Sequence, residues 1–564
     1  MNKSKFNYLT WAAPLVFSVA VQAAPSSVIT HGGYVSHQVN VDGNGRNIVG
    51  DKGNEPSIAV NPLNQNNVVI GWRRFDPQSV TKQAGFGYSL DGGLSWVNGV
   101  LPALESQQRT DPVLDTDSQG NFYYQSMGHG SVNSSSVFKS TDGGVSWSDP
   151  VHQFIGDKNW IAIDKTNGDS NGNIYSSWRR ASSTNPDSSY VPKYFIRSTD
   201  GGLSYQEPDV ALPVNNYGFG RIAIGAEGEV YLSGVSEDIL STNSLGILRK
   251  GHYFLKSVNA KDTTIAPTFT AQKIDMGGNV IMLFTPAGPN PQGSYGDVQI
   301  ATDKSTGAMR GNIYMLAYAL PYGWQVGGDP LDMFFVRSED GGDSWSAPLR
   351  INDDMPSETA FQWFPMMDVA SNSRIDAVWY DTRNGTGTNP ARMSQLFYSY
   401  SWDGGQSWSK NKVVTPSFNT HLPYRIVNGK EQQADKIGDY THLVSDTNGA
   451  HIAYSATFNG EQDVYYLNVF PDCNNNVISD VIDLTQGSQD TDGNHIPDEC
   501  EISIGDIDRD GDVDRNDMSL ILASRNQPAS GSDDPKDLDG DGIITVLDAR
   551  KVRLLCTRSR CAVN

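Results

Sequence analysis

Three short phrases place arginine at the ends of second strands, two of them with an aspartate: Trp72-Arg-Arg-Phe-Asp76, Trp178-Arg-Arg180 and Tyr380-Asp-Thr-Arg383. A guanidinium presents a planar fork that matches a carboxylate. Arg73, Arg74, Arg179 and Arg383 are therefore candidate clamps for an anionic group, with Arg73, Arg179 and Arg383 the leading set. Asp76 is the candidate proton donor for bond cleavage. Tyr380, close to Arg383, is a candidate nucleophile. His129, in Met127-Gly-His-Gly130, is a candidate base for a β-elimination, which also needs a cation to neutralise the carboxylate next to the abstracted proton. The competing reading pairs these arginines with nearby aspartates as structural salt bridges, and Asp157 with Lys158 reads as such a pair.

A second set of residues points to calcium. Asp506 to Asp517 is a twelve-residue loop with oxygen ligands at positions 1, 3, 5 and 12 and Gly511 at position 6. Its candidate ligands are Asp506, Asp508, Asp510, Asp512 and Asp517. Asp537 to Asp548 repeats the scheme with Asp537, Asp539, Asp541, Asp548 and Gly542. Calcium takes six or more hard oxygens, and this spacing folds them around one ion. Each loop runs into an apolar helical stretch, Met518 to Ala523 and Ala549 to Leu555.

The elements that must position the first set are repeats. Five copies of the phrase S-x-D-G-G-x-S-W begin at Ser89, Ser140, Ser198, Ser338 and Ser401, with Tyr205 replacing Trp once. The paired glycines allow positive φ in a tight turn, the aspartate accepts backbone hydrogen bonds there, and the aromatic anchors the turn. Two strands precede each copy. Seven first strands can be aligned, beginning at Pro56, Asp111, Asn159, Gly220, Asp297, Phe364 and Tyr440, and each is followed by a second. Unit four has lost its octapeptide after Tyr253 to Val258, and unit seven lacks a fourth strand. Tyr34 to Val41 alternates like a strand and has no unit of its own, so it can close the ring and remove an exposed sheet edge. In such a blade the first strand begins, and the second ends, on the face opposite the octapeptides. That face gathers the arginines and His129.

The octapeptide resembles the Asp-box, or BNR repeat, of the sialidase-like β-propellers. The resemblance covers about residues 30–470 and implies an all-β, seven-bladed propeller, with six blades as the alternative. Those enzymes hold a sialate carboxylate with three arginines, use an aspartate as acid/base, and use a tyrosine assisted by a glutamate as nucleophile. Arg73 or Arg74 and Asp76 match the pair that follows the first blade's second strand. The arginine that opens the first blade in that family is replaced here by Glu55-Pro-Ser-Ile, and no segment supplies the assisting glutamate. The leading expectation is a glycoside hydrolase acting on an anionic glycan. A lyase for uronic-acid glycans and a non-catalytic glycan- or protein-binding propeller are the alternatives. The tail, residues 504–564, resembles a type I dockerin, a small helical domain with structural calcium, which implies a cohesin-like or cell-surface partner. Its closing Cys556-Thr-Arg-Ser-Arg-Cys561 departs from that family. Residues 471–503 resemble the Asp/Asn-rich calcium repeats of thrombospondin type 3 and would form a stiff connector.

Bulk properties fit this division. The chain of 564 residues carries a net charge of −22, which argues against a nucleic-acid partner. Lys3 and Lys5, the apolar run Trp11 to Val21 and Val21-Gln22-Ala23 read as a secretion signal over residues 1–23, and no later segment reaches membrane-spanning length. All four cysteines lie in the last hundred residues, and an even count in an exported chain suggests disulfides. Neighbour pairing, Cys473–Cys500 and Cys556–Cys561, is the expected connectivity.

Overall fold

The computed structural model describes residues 24–563, except for 77–81, 103–107, 130–133, 154–155, 180–193, 207–209, 284, 286–287, 291–292, 356–359, 423–424, 428–429, 433–435, 475, 491–492, 494, 499–504, 508–512, 530–533 and 558. The secretion signal lies outside the described residues. So do Asp508, Asp510, Asp512 and Cys500.

Seven antiparallel sheets form a seven-bladed β-propeller. Blade one is Lys52–Asn61, Asn64–Phe75, Lys82–Ser89 and Val97–Val100 from axis to rim. The first strands of the later blades are Gln108–Thr116, Asp157–Ile163, Ile222–Ile224, Val298–Thr302, Gln362–Val369 and His442–Ser445. Tyr34–Gln38 pairs with Asp463–Val469 and supplies the outer strand of blade seven, with Val28–His31 added outside it. The ring is thus closed by the N-terminal segment, as the missing fourth strand of that unit requires. Among the described residues no helix is long and apolar enough to cross a membrane.

Each octapeptide forms the turn between a third strand and the rim. In blade one Asp91 accepts hydrogen bonds from the Ser95 amide (3.0 Å), the Ser95 hydroxyl (2.6 Å) and the Ser89 hydroxyl (2.7 Å). The aromatic reaches the neighbouring blade. Trp96 meets Tyr466 of blade seven at 5.6 Å, Trp147 meets Phe86 of blade one at 5.7 Å, and Trp408 meets Phe335 of blade five at 5.0 Å. In blade four Asn259 takes the place of the lost aspartate, accepting from the Ser257 hydroxyl at 3.0 Å.

The second glycine of the motif is fixed by this stapling. Gly93 sits at φ +93°, and a Cβ there would lie 2.1 Å from the Tyr466 ring. Gly93→Ala should therefore destabilise the propeller by about 1–3 kcal/mol, the usual cost of overpacking, read as a lower urea midpoint. A variant as stable as the parent would show that the blade contact is soft.

Beyond the ring lie helices Asp480–Gln486, Arg515–Ala523 and Val546–Leu555. Asp514 and Thr545 cap the last two, each in a reciprocal capping box, with Asp517 and Asp548. Cys556 is bonded to Cys561, and Cys473 is also disulfide-bonded.

Candidate functional site

One backbone feature recurs in every blade where the chain turns into the first strand at the axial mouth. Glu55, Asp111, Lys158, Phe219 and Phe364 adopt φ between +50° and +54°, and Gly296 and Gly438 occupy the matching positions in blades five and seven at +97° and +112°. The strand register slips there in blades one, two, three and six. Such bulges re-aim side chains near functional sites, and a left-handed non-glycine residue costs of order 1–3 kcal/mol that surrounding structure must offset.

In the first three blades the re-aimed side chains are charged, and they meet near the axis. Arg73 holds Glu55 at 2.9 Å. Lys158 reaches Asp111 of blade two at 3.3 Å and also contacts Asp439 of blade seven. Lys436 binds Asp439 at 2.5 Å and lies 3.8 Å from Glu55. Arg179 borders the group, bridging Asp157 at 3.3 Å and Glu237 at 2.8 Å. Burial pushes the Glu55 carboxyl up to about 7, against the pull of Arg73 and Lys158. Burial works against ionisation of Asp439 too, but Lys158 and Lys436 outweigh it and hold that carboxyl well below the usual range. Lys158 is desolvated, yet Asp111 and Asp439 keep it protonated.

Beneath this cluster the axis is plugged. The Arg221 guanidinium lies 3.3 Å from the centre of the Trp160 ring, which also meets His442 at 5.0 Å and Tyr440 at 5.8 Å. A cavity of about 500 Å³ opens below, lined by the ends of first strands from all seven blades. The charged mouth is therefore closed from below by this packing.

The arginine clamp expected from the sequence does not assemble. Arg73 is in the mouth and Arg179 at its edge. Arg74, one residue along the strand, faces the other way and gives its guanidinium to Asp51 (2.6 Å) and Gln83 (2.9 Å), with Asp76 3.9 Å away. Arg383 lies between blades five and six, bound by Asp353 (2.5 Å), Asp381 (2.8 Å) and Asn411 (3.1 Å). Tyr380 is no nucleophile. It is fully buried, and its hydroxyl donates to the Ser455 carbonyl at 2.8 Å and accepts from the Ser455 amide at 3.1 Å, tying blade six to blade seven. The backbone of His129 ends the second strand of blade two; its side chain lies outside the described residues. Asp157 pairs within its own blade with Arg179, while Lys158 spans three blades.

Sequence reasoning missed Lys436 and the use made of Asp439 and Glu55. The signal was present: a charged residue precedes Pro56 and Pro112, and Lys158 precedes Asn159 at the same place in the third unit.

Buried carboxylates also set a pH dependence. Glu55 and Asp297 are raised to about 7, and Asp463 to about 8, each chiefly by burial. Their unfolded values lie near 4, so the folded chain holds protons that the unfolded chain has released. Stability from these groups is fully present below about pH 4 and is lost as pH rises through 7 to 8. Asp111 and Asp439 are depressed and act oppositely, losing their contribution in acid. Melting temperature should therefore peak near pH 5 and fall toward pH 9. A flat profile from pH 5 to 9 would contradict these protonation states.

In the tail, the Asp537, Asp539 and Asp541 carboxylates lie within 4.8 Å of one another. Gly540 and Gly542 lie at positive φ beside them. Asp548 is buried and accepts from the amides of Asp539 (2.9 Å) and Thr545 (2.7 Å). In the first loop the Asp517 carboxylate likewise accepts from Ile507 and Asp514, and Asp506 is buried.

No protein-family model and no curated protein matches the chain. Among solved structures, a protein of unknown function from Dyadobacter fermentans aligns over 79% of this chain and 98% of its own, at 13% identity and TM-score 0.38. A GH74 enzyme from Niastella koreensis aligns over 81% and 60%, at 15% identity and TM-score 0.38. A PL25 ulvan lyase aligns over 74% and 93%, at 11% identity and TM-score 0.41.

Proposed function

We propose that the protein is a secreted glycan-cleaving enzyme. In this reading the axial mouth binds an acidic sugar and hydrolyses a glycosidic bond, with Glu55 as proton donor. The observation that carries it is the charge gathered at the strained mouth. Six cations, Arg73, Lys82, Lys158, Arg179, Arg249 and Lys436, stand with six carboxylates, Glu55, Asp111, Asp157, Glu237, Asp297 and Asp439. The chain as a whole has 64 acidic and 42 basic residues, so a cluster with as many cations as carboxylates is richer in positive charge than its composition.

The chemistry follows from the protonation states. Glu55 is substantially neutral near pH 7 and so holds Arg73 and Lys436 less tightly than a full carboxylate would. A substrate carboxylate can take over those two cations and draw them outward. That exchange uncovers the Glu55 carboxyl, which then protonates the departing glycosidic oxygen. Asp111 and Asp439 remain ionised: one can stabilise the positive charge that develops on the sugar ring, and the other can take the proton of the water that adds to the anomeric carbon as the glycosidic bond breaks. Elimination is less well supported. Lys158 is held protonated, and burial raises the phenol of Tyr295, which stacks on Phe219 at 4.6 Å, so neither is a ready base. Asp76 is displaced as proton donor because it stands with Arg74 and Asp51, on the strand face turned from Glu55.

The rest of the chain takes supporting roles. Residues 1–23 direct export, residues 471–503 form a calcium-stiffened connector, and residues 504–564 act as a dockerin-like anchor with calcium held by the two aspartate loops. The Asp537, Asp539 and Asp541 cluster fits a hard cation of that kind.

The test is a panel of acidic and neutral polysaccharides incubated with the full chain, with products followed by mass and by ultraviolet absorbance. Hydrolysis gives saturated fragments from acidic glycans. Unsaturated uronides would instead establish a lyase, and release from neutral glycans alone would remove the anionic-substrate reading.

A further inference from the structure

Blade four departs from the repeat in a way the propeller does not need. Its strands Val230–Thr242 and Gly246–Ser257 run past the blade as a long hairpin on the mouth face. Ile281–Leu283 pairs with the end of that hairpin, at Gly246 to Leu248, and Gly278–Asn279 pairs with Leu320 and Pro321 of blade five. The extra strands bind two blades into one wall. Facing it is the loop of blade five that carries Tyr322, Trp324 and Val326. Trp324 is partly exposed and Val326 is 82% exposed. The Trp324 indole N–H donates to the Gly328 carbonyl at 3.1 Å, which fixes the ring within its own loop.

Wall and loop enclose a groove of about 640 Å³, lined by Leu245, Trp324, Pro330, Phe361, Arg383 and Pro390 among others. That volume falls in the range of ligand sites, and so does the lining: aromatic and apolar, with few polar groups. The only charged side chain lining it among the described residues is Arg383, which is already engaged by Asp353 and Asp381. The groove thus offers stacking without a free charge, the reverse of the mouth on the same face.

We propose that this groove is a glycan subsite that takes a neutral pyranose ring stacked on Trp324, on the same face as the mouth that takes the acidic sugar. It rests on the glycan reading above and narrows it. The substrate is then a mixed chain, acidic at one residue and neutral at another, and not a uniform polyanion. Pyranose rings present an apolar C–H face, which an indole matches while its N–H stays satisfied within the loop. A peptide would bring backbone donors and acceptors that this lining leaves largely unmatched.

The experiment is electrophoresis of the full-length chain through native gels cast with glucuronoxylan, neutral xylan or alginate. Glucuronoxylan and xylan should retard the wild type, and Trp324→Ala should weaken that retardation about tenfold, while Trp324→Phe retains most of it. Retardation by alginate, uniformly acidic, should not change. Equal retardation of Trp324→Ala and wild type in glucuronoxylan and xylan overturns the inference, as does the absence of retardation in both. Cleavage by the wild type is scored separately. Cleavage with no dependence of binding on Trp324 sinks the subsite and keeps the enzyme. Trp324-dependent binding with no cleavage of any polysaccharide sinks the enzyme and keeps the subsite.

Discussion

Glu55→Gln lowers glycan cleavage by roughly 10²- to 10⁴-fold, the usual contribution of a positioned general acid, and leaves the fold intact. Gln is nearly isosteric with the neutral carboxyl that the site already favours, and its carbonyl oxygen can still accept from Arg73, which sits 2.9 Å from Glu55 in the wild type. What it lacks is a proton to give. The loss should appear in kcat more than in KM, because Arg73 and Lys436 remain to bind the substrate anion. The wild-type pH profile supplies an independent check. A donor must be protonated, so kcat/KM should fall as pH rises through about 7, the value to which burial raises Glu55. Asp76→Asn should stay within about threefold of wild type. Cleavage by Glu55→Gln within threefold of wild type would remove Glu55 from the mechanism, whatever the effect at Asp76.

The fold was largely legible because a propeller repeats its local signals. Five octapeptides announced the outer turns, and the alternating strand Tyr34 to Val41 announced the closure. The site was less legible for a geometric reason. The sequence shows that arginines follow second strands, but not which face of the strand each occupies. Side chains alternate along a strand, so Arg73 and Arg74 go to different partners, Glu55 and Asp51. The left-handed residues at the mouth were harder still. Glutamate and lysine at φ near +53° carry no local propensity for that conformation, and aspartate only a modest one, so tertiary packing imposes it. Nor does a single sequence reveal that a lysine in unit three meets an aspartate of unit seven. The wall between blades four and five hid in the stretch where the repeat was weakest, because extra strands erase the spacing that makes units recognisable.

Lys158→Met should cost the propeller about 3–5 kcal/mol at pH 7, the range seen when one partner of a buried ion pair is removed. Lys158 and its partners are well shielded, at 12%, 3% and 2% side-chain exposure for Lys158, Asp111 and Asp439. The variant leaves those two carboxylates facing each other across the axis, with Lys436 and Arg73 as the remaining nearby cations. Backbone strain does not confound the result, since methionine tolerates φ +53° no better than lysine. Two further measurements separate charge from packing. Lowering the pH toward 5 should recover part of the loss, because Asp111 and Asp439, no longer held down by the ammonium, would bind protons in the folded state. Asp111→Asn in the Lys158→Met background should recover part of it at pH 7, giving a coupling energy of about 0.5–3 kcal/mol in the double-mutant cycle. A loss under about 1 kcal/mol with no pH dependence would mean that the mouth charges are solvated and mutually independent. Glu55 would then have no reason to titrate near neutrality, and the proton donor proposed above would fall with the cluster that tunes it.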